Sequence, residues 1–362
     1  MLMFLSHWFL YETWNYFFEI SRTGGSHASL ALKITMAVLS VSFVTASLLA
    51  FRYFNIFVRV LYIIAAVWLG MLNYFFFAAC AAWIVAGLSV LAGLHWQPRG
   101  MGIAIFGSAL LIGFCGIVNA AWTRVTRITV RLPNLPGAWR GRVAALVSDM
   151  HLGHVRNYSF IKRVVRMLTS LRPDIVFIVG DLFDGTKANI DRLVPPWSHL
   201  QPPHGIFFTT GNHEEFSDRT KYLDALSRVG VRVLNNEKVT IDGLQIVGIH
   251  YRESVNPQLF RSILRRASLD SGRASILLTH APDRPAVAEE EGISLQLSGH
   301  THGGQFLPYT WIASRVYGRF VHGLSRIGNL LVFTNWGAGT WGAPMRVGTK
   351  PEIVLIRFES SD

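Results

Sequence analysis

The chain has 362 residues, 51% of them hydrophobic and 15% charged, and its 34 basic against 22 acidic residues give a net charge of +12. A soluble domain is nearer a quarter charged, so this composition excludes a wholly water-soluble chain, and the length allows one medium domain plus an appendage. Two cysteines, Cys80 and Cys115, sit far apart in apolar sequence and exclude a disulfide framework or a thiolate metal knuckle.

Residues 1–121 carry Arg22, Lys33, Arg52, Arg59 and Arg99 but, on the acidic side, only Glu12 and Glu19. Three stretches, 34–51, 60–98 and 100–123, contain no Asp, Glu, Lys or Arg. A helical span needs roughly 20 apolar residues, so each is a candidate transmembrane helix. The middle stretch reads as one long helix, because its only proline, Pro98, closes it. Residues 1–20 are aromatic and apolar and read as a fourth span or an interfacial helix. They lack the basic start and small-residue cleavage site of a signal peptide. With four spans, Arg52, Arg59, Arg124, Arg127 and Arg131 gather on one side, against Arg22, Lys33 and Arg99 on the other. The positive-inside rule then puts the downstream domain in the cytoplasm. Residues 1–122 are thus expected to be an all-α membrane region with three or four transmembrane helices, and 123–362 a separate domain.

Past Thr123 the texture changes. Residues 128–132 alternate apolar and polar, as a half-buried strand does, and Pro133 and Pro136 punctuate a loop. Residues 143–147, 175–179 and 206–209 are short apolar runs, expected as strands covered on both faces. Residues 158–171 have helical spacing, with Phe160, Ile161, Val164, Val165 and Leu168 on one face. Residues 221–229 read as a helix stopped by Gly230. Residues 239–249 read as two strands about the Asp242-Gly243 turn. Further strands are expected at 276–278, 295–297, 330–333 and 353–358. The segment 306–326, with Trp311, Arg315, Tyr317, Arg319, Phe320 and Arg326, reads either as a lipid-facing or substrate-binding lip or as a packed loop. Residues 336–346 read either as a pocket rim offering Arg346 to a phosphate or as a tight connection. Alternating strands and helices with late hairpins define an α/β architecture.

Polar residues cluster where strands end. Asp149-Met150-His151 follows 143–147, Gly180-Asp181-Leu182-Phe183-Asp184 follows 175–179, and Gly211-Asn212-His213-Glu214 follows 206–209. Thr279-His280 follows 276–278, and Gly299-His300-Thr301-His302 follows 295–297. In α/β sheets sites lie beyond the carboxyl ends of strands, so these ends together would form a cluster of carboxylate, imidazole and amide donors. Oxygen and nitrogen donors without thiolate suit Mn, Fe or Zn. Seven donors exceed the needs of one ion. Two ions sharing a carboxylate would leave positions open, clamp a phosphoryl group and generate a hydroxide nucleophile. Gly180, Gly211 and Gly299 are expected to let the backbone turn sharply.

Asp149-x-His151, Gly180-Asp181-x-x-Asp184, Gly211-Asn212-His213-Glu214, His280 and Gly299-His300-x-His302 resemble, in order and spacing, the five motifs of the calcineurin-like metallophosphoesterases. The likeness covers about residues 125–358. It is closest to the bacterial membrane-linked branch through Leu297-Ser298-Gly299-His300-Thr301-His302-Gly303-Gly304-Gln305. The resemblance implies a four-layer sandwich of two mixed sheets flanked by helices. It implies that Asp149, His151, Asp181 and His302 hold one divalent ion and that Asp181, Asn212, His280 and His300 hold a second, with Asp181 bridging. It implies His213 as general acid or transition-state stabiliser and Asp184 as the residue orienting it. Protein phosphatases of this superfamily have Arg-Gly after the last Asp of the second motif. Here Gly185 follows Asp184, which argues against that activity.

The expected reaction is hydrolysis of a phosphoester, phosphodiester or pyrophosphate bond, at a bacterial inner membrane. A phosphate-containing small molecule or lipid is the expected substrate. A phospholipid or a lipid-linked nucleotide sugar such as UDP-diacylglucosamine fits the resemblance, and membrane lipids are expected partners. A soluble phosphodiester or nucleotide, or a metal-binding signalling module without turnover, are the alternatives. Nucleic acid is not expected, since no extended basic run or aromatic stacking platform appears.

Overall fold

The structure, a computed structural model, describes residues 1–216 and 219–361. The chain forms two compact units, residues 1–119 with the segment Gly342–Val347, and residues 120–341 with the chain from Gly348 onward.

In the first unit, helices Gly25–Arg52, Ile56–Leu91 and Pro98–Ala121 have 28, 36 and 24 residues and are long and apolar enough to cross a bilayer. The middle one is a single helix. It starts where the Asn55 side chain accepts the Val58 N–H at 3.0 Å. The helix Leu2–Phe17 has 16 residues. That is about 24 Å, short of the roughly 30 Å hydrocarbon core. It is pinned by Trp68, whose indole N–H donates to His7 Nε2 at 2.8 Å, and by Trp83, whose indole N–H donates to Thr13 Oγ1 at 2.9 Å. Large apolar side chains such as Leu48 and Leu91 are 67% and 85% exposed. The buried face of Ile56–Leu91 is instead mostly small, with Ala65, Ala66, Gly70, Ala79 and Ala82. Lipid is as apolar as Leu, so close approach through small residues is what holds such helices together.

Gly342–Val347 is part of this unit. A Cβ on Gly116 would fall 2.6 Å from Val347 Cγ2 and 2.7 Å from Met345 Cγ. The Arg346 N–H donates to the Gly116 carbonyl at 3.0 Å, and the Asn119 amide donates to the Arg346 carbonyl at 2.9 Å. Arg346 is fully buried there. The expectation that it offers itself to a phosphate at a pocket rim is therefore corrected.

The second unit holds two mixed six-stranded sheets. The strands in chain order are β1 Arg124–Leu132, β2 Val143–Val147, β3 Ile175–Val179, β4 Ile206–Thr209, β5 Val231–Val233, β6 Glu237–Ile241, β7 Leu244–Gly248, β8 Ser275–Leu278, β9 Leu295–Ser298, β10 Gly323–Ile327, β11 Leu330–Thr334 and β12 Glu352–Ser360. One sheet has the order β1-β12-β2-β3-β4-β5 and the other β10-β11-β9-β8-β7-β6. β2, β3 and β4 are parallel, as are β7, β8, β9 and β11. β12 joins β2, and β6 and β10 join β7 and β11, in antiparallel fashion.

Side chains two apart share a face, and both faces are covered. Ala144, Leu146, Ile175, Phe177 and Val179 pack against Leu244, Ile246, Ile276, Leu278 and Leu297 between the sheets. Ala145, Val147, Val176 and Ile178 pack outward against Phe160, Ile161, Val164 and Leu168 of the helix Tyr158–Leu171. On the far side, Val247, Leu277 and Val332 meet Phe260, Ile263 and Leu264 of the helix Pro257–Arg266. The result is helix, sheet, sheet, helix, the four layers expected. β1 starts four residues before the expected strand, because pairing with β12 carries it to Arg124. β5, β10 and the helix Pro257–Arg266 were not anticipated. Most of 306–326 is the helix Tyr309–Tyr317 and strand β10 rather than loop.

Candidate metal centre

The parallel strands bring their carboxyl ends to one edge, and the segments leaving β2 and β3 run on together beyond it. The Asp149 N–H donates to the Gly180 carbonyl at 3.1 Å, His151 N–H to Asp181 at 3.0 Å and Asp184 N–H to Leu152 at 3.1 Å. Five of the polar residues delivered here have left-handed backbones: Asp149 (φ 50), His151 (49), Asp181 (48), His300 (70) and His302 (49). Each costs roughly 1–2 kcal/mol for a non-glycine residue. Such conformations persist where the surroundings over-determine them, and they concentrate at functional sites.

The geometry gathers the donors into adjoining groups. Ligating atoms of Asp149, His151 and His302 lie within 4.8 Å of one another, as do those of Asp181, His280 and His300. Asp181 Oδ2 is 3.1 Å from His280 Nε2 and 3.8 Å from His151 Nε2, so it touches both groups. Asn212 Oδ1 is 3.2 Å from His280 Nε2. His280 Nδ1 faces the Val179 carbonyl at 2.9 Å, which fixes the ring and turns Nε2 into the cluster. All seven sequence-predicted metal residues are therefore together.

His213 and Asp184 join them on one side, sharing with His151 a third group within 4.8 Å. His213 is held by the main-chain carbonyl of Asp184, 2.8 Å from Nδ1. The Asp184 carboxylate lies instead 3.5 Å from His151 Nδ1. Beneath them Glu214, fully buried, accepts the N–H groups of Asp181 (2.9 Å), Phe183 (3.0 Å) and Gly211 (2.6 Å). It ties the loops after β3 and β4 into one piece.

Protonation follows from burial and crowding. Burial pushes the Asp184 carboxyl up to about 7, and burial with the nearby Asp181 charge does the same to Glu214. Burial also raises Asp149. Burial would raise Asp181 too, but His280 and His151 outweigh it and hold the carboxyl well below its usual range. Burial opposes charge on His280, yet Asp181 and Asp149 raise it to about 10. Burial and the neighbouring His280 push His300 down to about 3, leaving its lone pair available. Oxygen and nitrogen donors without thiolate, packed at this density, fit divalent cations of the hard-to-borderline kind. Such ions would keep the carboxylates ionised and the imidazoles neutral.

Two of the three strand-end glycines serve space rather than turning. Gly180 does have φ +80, but a Cβ on Gly211 would sit 2.2 Å from Asp181 Oδ1, and one on Gly299 2.3 Å from Asp149 Oδ2. Two phenols also reach the site, Tyr251, which sequence reasoning missed, and Tyr317, which it named only within the segment 306–326. Tyr251 lies 5.8 and 6.0 Å, ring to ring, from His280 and His300, and Tyr317 lies 6.1 Å from His300. Burial, with Asp283 and Tyr251, raises the Tyr317 phenol to about 12. Tyr251 follows the end of β7, the same strand-end position that flagged the ligands.

A buried binuclear site of Asp, His and Asn donors across two packed sheets is of the metal-dependent phosphoesterase kind. A family model described as calcineurin-like phosphoesterase matches residues 143–304. An uncharacterized metallophosphoesterase of Aquifex aeolicus is 31% identical over 258 residues, covering 69% of this chain and 97% of that protein. One of Campylobacter jejuni is 30% identical over 251 residues, covering 68% and 66%. A protein of Danio rerio described as a transmembrane protein with metallophosphoesterase domain is 31% identical over 260 residues, covering 67% and 59%. The chain thus spans less than two thirds of the Campylobacter and Danio proteins. The chain belongs to the calcineurin-like metallophosphoesterases.

Proposed function

We propose that this protein is a membrane-anchored, two-metal phosphoesterase that hydrolyses a phosphoester, phosphodiester or pyrophosphate bond, on a lipid-linked substrate. The observation that carries the reading is the position of Asp181 Oδ2, in contact with both His280 and His151. In this reading Asp149, His151, Asp181 and His302 hold one ion, and Asp181, Asn212, His280 and His300 the other. The pair is drawn from Mn, Fe and Zn. When bound, such a pair supplies Lewis acidity to phosphoryl oxygens and activates water. The chain's own residues do the rest. His213, anchored through Nδ1, donates a proton to the leaving oxygen. Asp184 fixes that imidazole through its carbonyl, and Glu214 holds the Asp181 and Gly211 backbones so that the shared carboxylate cannot swing.

The division of labour proposed is a membrane region at 1–122 and the catalytic domain at 123–362. Three apolar helices support a membrane protein. Arg124, Arg127 and Arg131 just beyond the last helix favour a multi-pass chain in a bacterial inner membrane with the catalytic domain cytoplasmic.

The test is hydrolysis of bis-p-nitrophenyl phosphate by the detergent-purified full chain with added Mn²⁺, with EDTA, and with Asp181→Asn. Turnover that needs metal and falls by about 10²–10³ or more in Asp181→Asn is expected, together with loss of bound metal. Full-length protein that binds no divalent metal would sink the reading.

A further inference from the structure

The helix Tyr309–Tyr317 faces two ways. It is packed directly onto the turn that delivers His302, since a Cβ on Gly304 would fall 2.2 Å from the Tyr309 carbonyl oxygen. Its inner stripe carries Ala313, which is buried, and Tyr317, whose ring sits against His300. Its outer stripe is unlike that of a water-facing helix. Positions 311, 312, 315 and 316 recur at helical spacing on one face of the helix. There Trp311, Ile312 and Val316 are 59, 44 and 68% exposed, and Leu307 just ahead of the helix is 57% exposed.

The helix Pro257–Arg266 of the same unit provides the contrast. It buries Phe260, Ile263 and Leu264 and leaves Arg265 and Arg266 outside. The outer stripe of Tyr309–Tyr317 is inverted. Its only charge is cationic: the Arg315 guanidinium lies over the Trp311 ring at 5.1 Å, and just past the helix that of Arg319 lies over Phe320 at 5.0 Å. Residues 305–326 include Arg315, Arg319 and Arg326 and no acidic residue.

We infer that this outer face lies in the headgroup layer of an anionic bilayer. Trp311, Ile312 and Val316 enter the acyl boundary, and Arg315 and Arg319 meet lipid phosphates. Tryptophan and arginine flanking an apolar stripe is the chemistry of the membrane interface. An absence of carboxylates is what a negatively charged surface requires. The chain's own three membrane-length helices keep a bilayer within reach. One helix thereby has lipid on its outer side and Tyr317 beside His300 on its inner side. Resting on the phosphoesterase reading, this makes the substrate a phosphoester borne on an acyl chain, entering over the helix.

The test uses the full chain with Cys80→Ser and Cys115→Ser, carrying a nitrobenzoxadiazole label at Val316→Cys or, for comparison, at the exposed Gln258→Cys. The labelled protein is placed in nanodiscs of phosphatidylcholine and phosphatidylglycerol containing doxyl lipid. The expected result is quenching at 316 about twofold or more above that at 258, weakened by Arg315→Glu with Arg319→Glu. Equal quenching at the two positions overturns the inference and leaves the stripe to a protein partner or a second copy. A second readout compares hexadecyl p-nitrophenyl phosphate in the bilayer with water-soluble bis-p-nitrophenyl phosphate. Trp311→Ser with Val316→Ser is expected to lower the ratio of lipid to soluble turnover about tenfold, the equivalent of about 1.4 kcal/mol. An unchanged ratio overturns the claim of lipid entry. Silence of the unsubstituted chain toward both probes would count against the phosphoesterase reading, while the quenching still decides where the helix sits.

Discussion

The helical unit and the α/β unit are built on opposite rules. In the helical unit large side chains such as Leu48 and Leu91 face outward, and the buried face of Ile56–Leu91 is mostly alanine and glycine. In the α/β unit Val, Ile, Leu and Phe fill the space between and outside the sheets. Its buried polar residues include Asp149, Asp181, Glu214 and His280, which sit beyond the strand ends. The first pattern is explained when the surroundings are as apolar as the protein. The second follows when water drives burial and the polar groups carried inside are mostly hydrogen-bonded. The comparison therefore states where each unit is fragile. The α/β unit breaks when a buried polar partner is removed, and the helical unit breaks when a small residue is enlarged.

The largest expected effect short of losing metal is at His213. His213→Asn should lower kcat toward bis-p-nitrophenyl phosphate by about 10²–10⁴. Metal content by elemental analysis should stay at the level of the unsubstituted protein. Loss of metal along with activity would instead make His213 a ligand. Glu214→Gln comes next. It keeps the shape but weakens the three N–H bonds that position Asp181 and Gly211. Metal affinity, followed by titration with a competing chelator, should fall by about 10- to 100-fold. Unchanged affinity would show that the loops hold themselves.

Much of this was legible beforehand for a physical reason. β2, β3 and β4 are covered on both faces, so they appear as uninterrupted apolar runs, and the residues ending them stand out by contrast. Asp242-Gly243 announced the β6–β7 hairpin because that turn needs φ > 0, as found at both residues. What escaped depended on partners distant in the chain. The support of His213 by a main-chain carbonyl carries no side-chain signature. β10 alternates half-buried and exposed residues and is defined by pairing with β11 rather than by its own pattern. The helix Pro257–Arg266 did have a signal. Asn256 caps it, accepting the N–H groups of Gln258 and Leu259, and Pro257 occupies its first turn. Gly342–Val347 is short and glycine-flanked, and nothing local marks it as part of the helical unit.

A smaller effect tests the helical half of the comparison. Gly116→Leu would drive a side chain into Met345 and Val347, whose atoms lie 2.7 and 2.6 Å from the position of a Cβ. Overpacking of this kind costs about 1–3 kcal/mol. Leu48→Ala, at an exposed position, should change stability by less than about 0.5 kcal/mol. Thermal unfolding of both variants in detergent makes the comparison. If Leu48→Ala proves the more damaging, the outward-facing leucines are packed against something other than lipid.

An effect of similar size concerns a buried carboxylate that is not one of the metal residues. Glu352, at the start of β12, is fully buried. It accepts the Thr126 hydroxyl at 2.6 Å and the Trp336 N–H at 3.3 Å, and meets His322 Nε2 at 2.9 Å. The His322 ring is stacked on Trp336 at 3.7 Å. Burial alone would raise the carboxyl, but the bonds from His322 and Thr126 outweigh it and leave it below its usual value. A carboxyl depressed in the folded state stabilises fully above its unfolded pKa. That stabilisation is lost as pH falls through the lower folded value. Glu352→Gln should therefore cost about 1–3 kcal/mol near neutral pH. The gap to the unsubstituted protein should narrow once pH drops below roughly 4.3, where an unfolded glutamate protonates. Denaturant titrations at several pH values read this directly. A gap that stays constant down to the acid limit would mean that the hydrogen bonds, and not the charge, hold β12 to β1 and to the strand-end segment at Trp336.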